Sequence, residues 1–224
     1  MGQTIKICGL STAPTLEAAL KAGADMVGFV FFAKSPRHLT FEAARDLAKR
    51  ARMRAEIVAL SVDADDATLE AIVKATEPDY LQLHGGESPE RADEIQRKFG
   101  VSAIKAIGVA TKEDFARAEA YKGKSDGLLI DAKPPKDATR PGGNGVVFDW
   151  RLAADFHPRK PWLLSGGLDP HNVAEAIALS GARGVDVSSG VESAPGVKDI
   201  DKIIAFIEAA RAGFERENRR GSVL

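Results

Sequence analysis

The chain has 224 residues, of which 44% are hydrophobic and 28% charged, with a formal net charge of -1. Such a balance supplies no field to draw nucleic acid or an anionic membrane, so any anionic ligand must be held by local donors. A single cysteine excludes an internal disulfide, and neither a leader nor an apolar run of roughly 20 residues is visible. The expectation is a cytoplasmic, soluble protein that binds neither nucleic acid nor membrane and has no structural metal.

In chain order, a strand over 4–8 is followed by a helix over 15–22, a strand over 26–32 and a helix over 41–52. A strand over 56–62, a helix over 66–75, a strand over 80–84 and a helix over 89–99 come next. The second half reads as strand 103–107, helix 112–121, strand 127–131, a short helix near 150–155, strand 162–165, helix 172–179, strand 184–187 and helix 199–212. Thr40, Ser88 and Thr111 stand where helices should be capped, Pro89 at a first helical position, and Gly23 and Gly100 where helices should stop. About eight alternating strand–helix units at a period of roughly 25 residues, with no linker between them, predict one (β/α)8 barrel spanning 1–224. Residues from about 215 to 224 read as a frayed tail. An open doubly wound sheet is the alternative, but no G-x-G-x-x-G follows the first strand.

Side chains alternate along a strand, so apolar neighbours reveal which residues face the lumen. Ile5 and Ile7 leave Lys6 and Cys8 inward, and Leu81 and Leu83 leave Gln82 and His84 inward. By the same phase Leu128 and Ile130 leave Asp131 inward, and Val185 and Val187 leave Asp186 and Ser188 inward. Cys8, His84, Asp131 and Ser188 then converge at the C-terminal rim, where barrels do chemistry. Four polar or reactive groups gathered there are hard to explain as packing, because buried polar groups need partners. Lys6 and Asp186, deeper in the lumen, read first as partners of one another. His84 reads as an acid/base group or as a hydrogen-bonded lumen residue, and Asp131 as a reactive carboxyl or a cap.

Two later segments have the composition of a phosphate cradle. Ser165-Gly166-Gly167-Leu168 follows the seventh strand, and Ser188-Ser189-Gly190-Val191, with a short helix expected after Ser188, follows the eighth. Glycines let backbone N–H groups approach an oxyanion closely, and the alternative is a pair of plain turns. The run from Arg140 to Gly145, including Gly143, is glycine-rich enough to be either a lid or a surface loop. Arg37, after the second strand, has the fork to clamp a carboxylate in bidentate fashion, with solvation as the alternative.

Together these segments resemble phosphoribosylanthranilate isomerases, the barrel enzymes of tryptophan biosynthesis. The resemblance is carried by Lys-Ile-Cys-Gly-Leu at 6–10, Gly-Phe-Val-Phe at 28–31, Lys-Ser-Pro-Arg at 34–37 and Leu-Gln-Leu-His-Gly at 81–85. It continues through Leu-Leu-Ile-Asp at 128–131, Leu-Ser-Gly-Gly-Leu at 164–168 and Gly-Val-Asp-Val-Ser-Ser-Gly-Val-Glu at 184–192. It implies an Amadori rearrangement with Cys8 as general base and Asp131 as general acid, without metal or cofactor. It further implies Arg37 on the anthranilate carboxylate and the backbone after Ser165 and Ser188 on the phosphate. His84, Gly143, Gly166, Gly167, Asp186, Ser188, Ser189 and Gly190 complete the expected substrate site of a monomer or homodimer. Two places depart from the family pattern: Ser61-Val62-Asp63 stands where a Val-Phe type pair is usual, and Asn144 where a threonine is usual. Rival readings are a phosphosugar isomerase of histidine biosynthesis, the indole-forming synthase, and a barrel that binds a metabolite without turning it over.

Overall fold

The structure, a computed structural model, describes residues 3–134, 138, 141–143, 145 and 147–221. Its strands are β1 (Thr4–Cys8), β2 (Met26–Phe31), β3 (Glu56–Ser61), β4 (Tyr80–Leu83), β5 (Ser102–Val109), β6 (Gly127–Ala132), β7 (Trp162–Leu164) and β8 (Gly184–Val187). All pair in parallel in sequence order, and β8 returns to β1 with Ile5 opposite Val185, closing the barrel. The expected barrel is thus the fold.

The helices form where sequence signals place them. These are α1 (Ala13–Ala22), α2 (Phe41–Ala51), α3 (Asp66–Thr76) and α4 (Pro89–Phe99). Thr40 and Ser88 side chains accept the backbone N–H groups of Ala43 and Arg91, each at 3.2 Å, and so cap α2 and α4. The expected helix over 112–121 is instead a 3-10 turn, Lys112–Phe115, running into the four-residue α5 (Ala116–Glu119). Its buried side chains, Phe115, Ala118 and Tyr121, recur every third position, which suits three residues per turn better than 3.6. After the 3-10 turn Trp150–Ala153 comes α6 (Val173–Ser180).

The last helix, α7 (Ile200–Gly221), runs through most of the stretch expected to be a frayed helix end. Phe214 is buried, and Glu217 pairs with Arg220 at 2.8 Å, which carries the helix past the point where the apolar pattern fades. The short helix expected after Ser188 is present as a three-residue 3-10 turn, Ser189–Val191, and is followed by a small antiparallel hairpin, β9 (Glu192–Ala194) and β10 (Val197–Lys198).

Two interiors result. Ile5, Ile7, Leu81, Leu83, Leu128, Ile130, Val185 and Val187 face the helix layer and belong to its large apolar cluster. Inside the barrel Met26, Val58, Ile104, Leu129 and Leu163, with Tyr80 against them, plug the lower lumen. At the N-terminal face an aspartate repeats at alternate units. Asp25, Asp79 and Asp126 accept the backbone N–H of Ile5, Ile57 and Ala103 at 2.7 to 3.0 Å. Each precedes one strand and grips the strand before it, so the bottom is stapled and the top is free for chemistry.

Candidate active site

Above the apolar plug the lumen turns polar. Lys6, wholly buried, sends its ammonium to Asp186 at 2.7 Å, and the other Asp186 oxygen accepts the Ser165 hydroxyl at 3.1 Å. One residue pair higher, Cys8, His84, Asp131 and Ser188 line a cavity of about 780 Å³, measured to its open mouth. Val30, Phe32, Leu60 and Val62 give it an apolar wall. The strand phase therefore brings together the four rim groups that the alternation pointed to.

Cys8 is buried at the top of β1. Burial pushes its thiol above the ordinary value; the Lys6 and Lys198 ammonium groups pull it down and the Asp186 carboxylate pushes it up. Burial also works against the Lys6 ammonium, but the Asp186 and Cys8 partners outweigh it and hold Lys6 above its ordinary value. Asp131 is the last residue but one of β6, with Oδ1 accepting the N–H of Ala132 at 2.8 Å and Oδ2 3.3 Å from His84 Nε2. His84 in turn stands 2.9 Å, through Nδ1, from Gln82 Nε2.

Arg37 differs from the expected free fork. Its guanidinium is buried and already bidentate: Nε donates to Glu192 Oε1 at 2.7 Å and Nη2 to Glu192 Oε2 at 2.9 Å. Guanidinium carries five N–H donors in two forks, so the end-on fork of Nη1 and Nη2 is what remains for a ligand. Glu192 also accepts Lys198 Nζ at 2.8 Å and the N–H of Gly196 at 3.1 Å. Burial raises that carboxyl, but Arg37 and Lys198 more than reverse the effect and hold it at about 2. Lys198 also grips the Ser188 carbonyl at 2.7 Å, tying the hairpin to the top of β8.

Glu192 and Lys198 are the functional residues that sequence reading missed. The signal was Ala194-Pro195-Gly196-Val197, whose Pro-Gly pair marks a tight turn between two short extended runs.

The two glycine-and-serine segments lie side by side. Gly166 and Gly167 take left-handed backbone at φ +87° and +66°, and with Ser188 and Ser189 they line the cavity. Gly190 is set back from the lining, pressed on the carbonyl of Leu168 where a Cβ would collide. Among the described residues, no hydrogen bond takes up the N–H of Gly166, Gly167, Ser189 or Gly190. Backbone donors left idle beside a cavity have the chemistry of an anion nest.

Across the mouth lie Pro141, Gly142 and Gly143, from the run after β6. A Cβ on Gly142 would stand 2.5 Å from His84 Nε2 and 2.8 Å from Asp131 Oδ2, and one on Gly143 2.7 Å from Arg37 Nη1. These two glycines thus lie directly on the groups at both edges of the cavity. Arg140 and Asn144 fall outside the described residues. Of the departing third-strand segment, Asp63 accepts the N–H of Gly86 at 2.6 Å, so it braces the loop behind His84.

Comparison with known proteins agrees with this geometry. A model of the N-(5'-phosphoribosyl)anthranilate (PRA) isomerase family matches residues 5–209. A Rhodopseudomonas palustris protein named N-(5'-phosphoribosyl)anthranilate isomerase is 56% identical over 96% of this chain and 99% of its own length. A Nitrobacter hamburgensis protein of the same name is 58% identical over 95% and 94%. The solved phosphoribosylanthranilate isomerase of Thermotoga maritima superposes with a TM-score of 0.84 at 36% identity, covering 95% of this chain and all of that one. Another solved isomerase, in complex with reduced 1-(o-carboxyphenylamino)-1-deoxyribulose 5-phosphate, gives 0.81 at 33% identity, with the same coverage. Among the described residues no helix is long and apolar enough to cross a membrane.

Proposed function

The chain belongs to the N-(5'-phosphoribosyl)anthranilate isomerase family, and from that premise we propose how its own residues divide the reaction. The enzyme is an aldose–ketose isomerase of tryptophan biosynthesis. It converts N-(5'-phosphoribosyl)anthranilate to 1-(2-carboxyphenylamino)-1-deoxyribulose 5-phosphate.

Asp131 is the general acid: it gives a proton to the furanose ring oxygen as the C1'–O bond breaks and the anilino nitrogen becomes an iminium. Cys8, as thiolate, is the general base that removes the C2' proton. The electron pair moves to the iminium, and the resulting enol tautomerises to the ketone. The substrate's own nitrogen is the electron sink, so the rearrangement needs no added cofactor. The nest of Gly166, Gly167, Ser189 and Gly190, with Ser188 beside it, takes the phosphate. The end-on fork of Arg37 takes the anthranilate carboxylate. Gly142 and Gly143 close over the acid and the clamp, and His84 borders the acid. Asp186, with both oxygens engaged by Lys6 and Ser165, forms the floor beneath the substrate.

The observation that carries this reading is that Cys8 and Asp131, 123 positions apart in the chain, border one cavity whose rim offers idle backbone donors and a guanidinium edge. The rivals fit less well. The histidine-pathway isomerase would place an aspartate at Cys8 and the synthase a lysine–glutamate set, and a silent barrel has no use for this acid and thiol. We assign the enzyme to the cytoplasm, a reading supported by a reactive thiol that must stay reduced. It acts on a phosphorylated small molecule as a monomer or homodimer. Dimeric phosphoribosylanthranilate isomerase and monomers generated from it are both known from Thermotoga maritima.

The test is a spectroscopic assay for loss of the anthranilate adduct. Cys8→Ser and Asp131→Asn should each lower kcat at least about 10²-fold with the fold intact by circular dichroism. Arg37→Ala should mainly raise KM. Wild-type turnover in either of the first two variants removes that residue from the mechanism.

A further inference from the structure

Gln82 is fully buried in the lumen, and its Oε1 has no hydrogen-bond partner among the described residues. Its Nε2 stands 2.9 Å from His84 Nδ1. An amide N–H aimed at Nδ1 obliges that nitrogen to accept, so the ring proton sits on Nε2. The reversed amide, with Oε1 toward Nδ1, would need an Nδ1–H. It would also move both amide N–H groups into the place where the carbonyl now has no partner. Either orientation leaves two amide sites without a partner among the described residues, so the far side of the ring decides: an Nδ1–H ring would turn the Nε2 lone pair toward Asp131 Oδ2 at 3.3 Å, whereas an Nε2–H ring turns a donor toward it. The orphaned Oε1 is therefore the cost of keeping a donor on His84 Nδ1.

The far side of the ring borders the cavity. His84 Nε2 lies 3.3 Å from Asp131 Oδ2, and the Gly142 backbone passes close over both atoms. The other carboxyl oxygen, Oδ1, is taken by the N–H of Ala132, so Oδ2 is the oxygen left to exchange a proton with substrate.

We propose that Gln82 is a positioning residue that locks His84 as its Nε2–H tautomer, so that the imidazole presents a donor beside Asp131 Oδ2 and holds that oxygen toward the reacting sugar. This deepens the reading of Asp131 as the general acid and rests on it. The chain of command runs from β4 to β6: a buried amide sets a tautomer, the tautomer presents a donor, and the donor aims the acid. Gln82 also borders the cavity; an apolar residue there would fill the layer above Tyr80 without stranding an oxygen, but would give His84 Nδ1 no donor.

The experiment uses full-length enzyme labelled with 15N-histidine. Only four histidines are present, His38, His84, His157 and His171, and His84→Asn assigns the resonance. Wild type should show His84 as a single Nε2–H tautomer. Gln82→Met, which keeps the volume and removes the donor, should give a tautomer mixture and lower kcat roughly tenfold with KM changed less than twofold. Gln82→Glu, which offers only acceptors once ionised, should switch the ring to Nδ1–H at pH values above its titration and lower kcat further there. A wild-type ring already in the Nδ1–H form, or Gln82→Met with unchanged tautomer and kcat, overturns the proposal and leaves the roles of Cys8 and Asp131 standing. Wild-type turnover in Asp131→Asn, with the His84 tautomer intact, would instead overturn the reading beneath it.

Discussion

Replacing Glu192 by Gln gives the sharpest check on how the carboxylate end of the site is built. The Glu192 carboxylate accepts two bonds from Arg37, one from Lys198 and one from the Gly196 backbone, and all three side chains are buried. Its folded value of about 2 lies about 2.5 units below the ordinary 4.5. At 1.36 kcal/mol per unit, the ionised form contributes about 3 kcal/mol at neutral pH. Burial pulls Lys198 below its ordinary value, so a charged lysine here is costly and the figure is an upper bound. The sign follows from a depressed carboxyl: the contribution is complete above about pH 4.5 and fades as pH falls toward 2. Glu192→Gln should therefore destabilise the fold by up to about 3 kcal/mol at pH 7, and by no more than about 1.4 kcal/mol at pH 3. Urea titrations followed by the fluorescence of Trp150 and Trp162 measure both. Substrate KM should rise as well, because Arg37 loses the partner that holds it at the rim. A gap under about 1 kcal/mol at pH 7, or one that does not narrow in acid, would refute the view that this anion organises the two cations.

Further expectations concern the thiol and the cradle. Lys6→Met should slow alkylation of Cys8 by iodoacetamide about tenfold at fixed pH, because an ammonium that favours the thiolate is lost. Asp186→Asn should act in the opposite sense; the single cysteine makes the readout unambiguous, and equal rates in both variants would show that the floor pair does not act on the sulfur. Because burial holds the Cys8 thiol above its ordinary value, its thiolate fraction still grows at alkaline pH. Hence kcat/KM should climb between about pH 6.5 and 8.5, and a flat profile would argue against sulfur as the base. Gly190→Ala forces a Cβ against the Leu168 carbonyl and should cost about 1–3 kcal/mol of stability together with a raised KM. An unperturbed melting curve would show that the two loops do not depend on this contact.

The barrel was legible because burial on both sides of each strand leaves a strong signal. Where Ile5 and Ile7 are outward, Lys6 and Cys8 can only be inward, and a single residue of slippage would have reversed both. The same arithmetic located His84, Asp131 and Ser188. What the sequence could not yield were partners across long separations. Arg37 and Glu192 are 155 positions apart, and nothing in the local pattern around Arg37 says that its side-on fork is already taken. The hairpin was missed because its strands have three and two residues, too short for alternation to register. Alternation turns Gln82 inward, yet which of its amide atoms meets His84 depends on a ring two residues away and on what lies opposite. The helix over 112–121 failed for a different reason: three-residue spacing looks amphipathic to either kind of helix.

The charges around the cavity explain how a chain of net charge -1 can hold a substrate with a phosphate and a carboxylate. Lys6 and Asp186 cancel beneath the floor. Arg37, Glu192 and Lys198 do not cancel: two cations share one carboxylate, leaving one positive charge in excess close to Ser188 and to the cavity edge. A cation so placed is screened far less than one at the surface, and the depressed Glu192 carboxyl keeps the arrangement intact across the physiological range. Attraction for anions is thus built where the ligand sits, and the outer surface need not carry it. The same excess charge lowers the cost of a thiolate at Cys8, toward which Lys198 pulls the thiol equilibrium. On the proposed division of roles, substrate recognition and base strength are coupled through one buried cluster: the substrate's anions, on arriving, offset the field that favours the thiolate. That makes the C2' proton the natural counterpart of the bound phosphate, since the thiolate that accepts it becomes neutral as the anionic substrate settles.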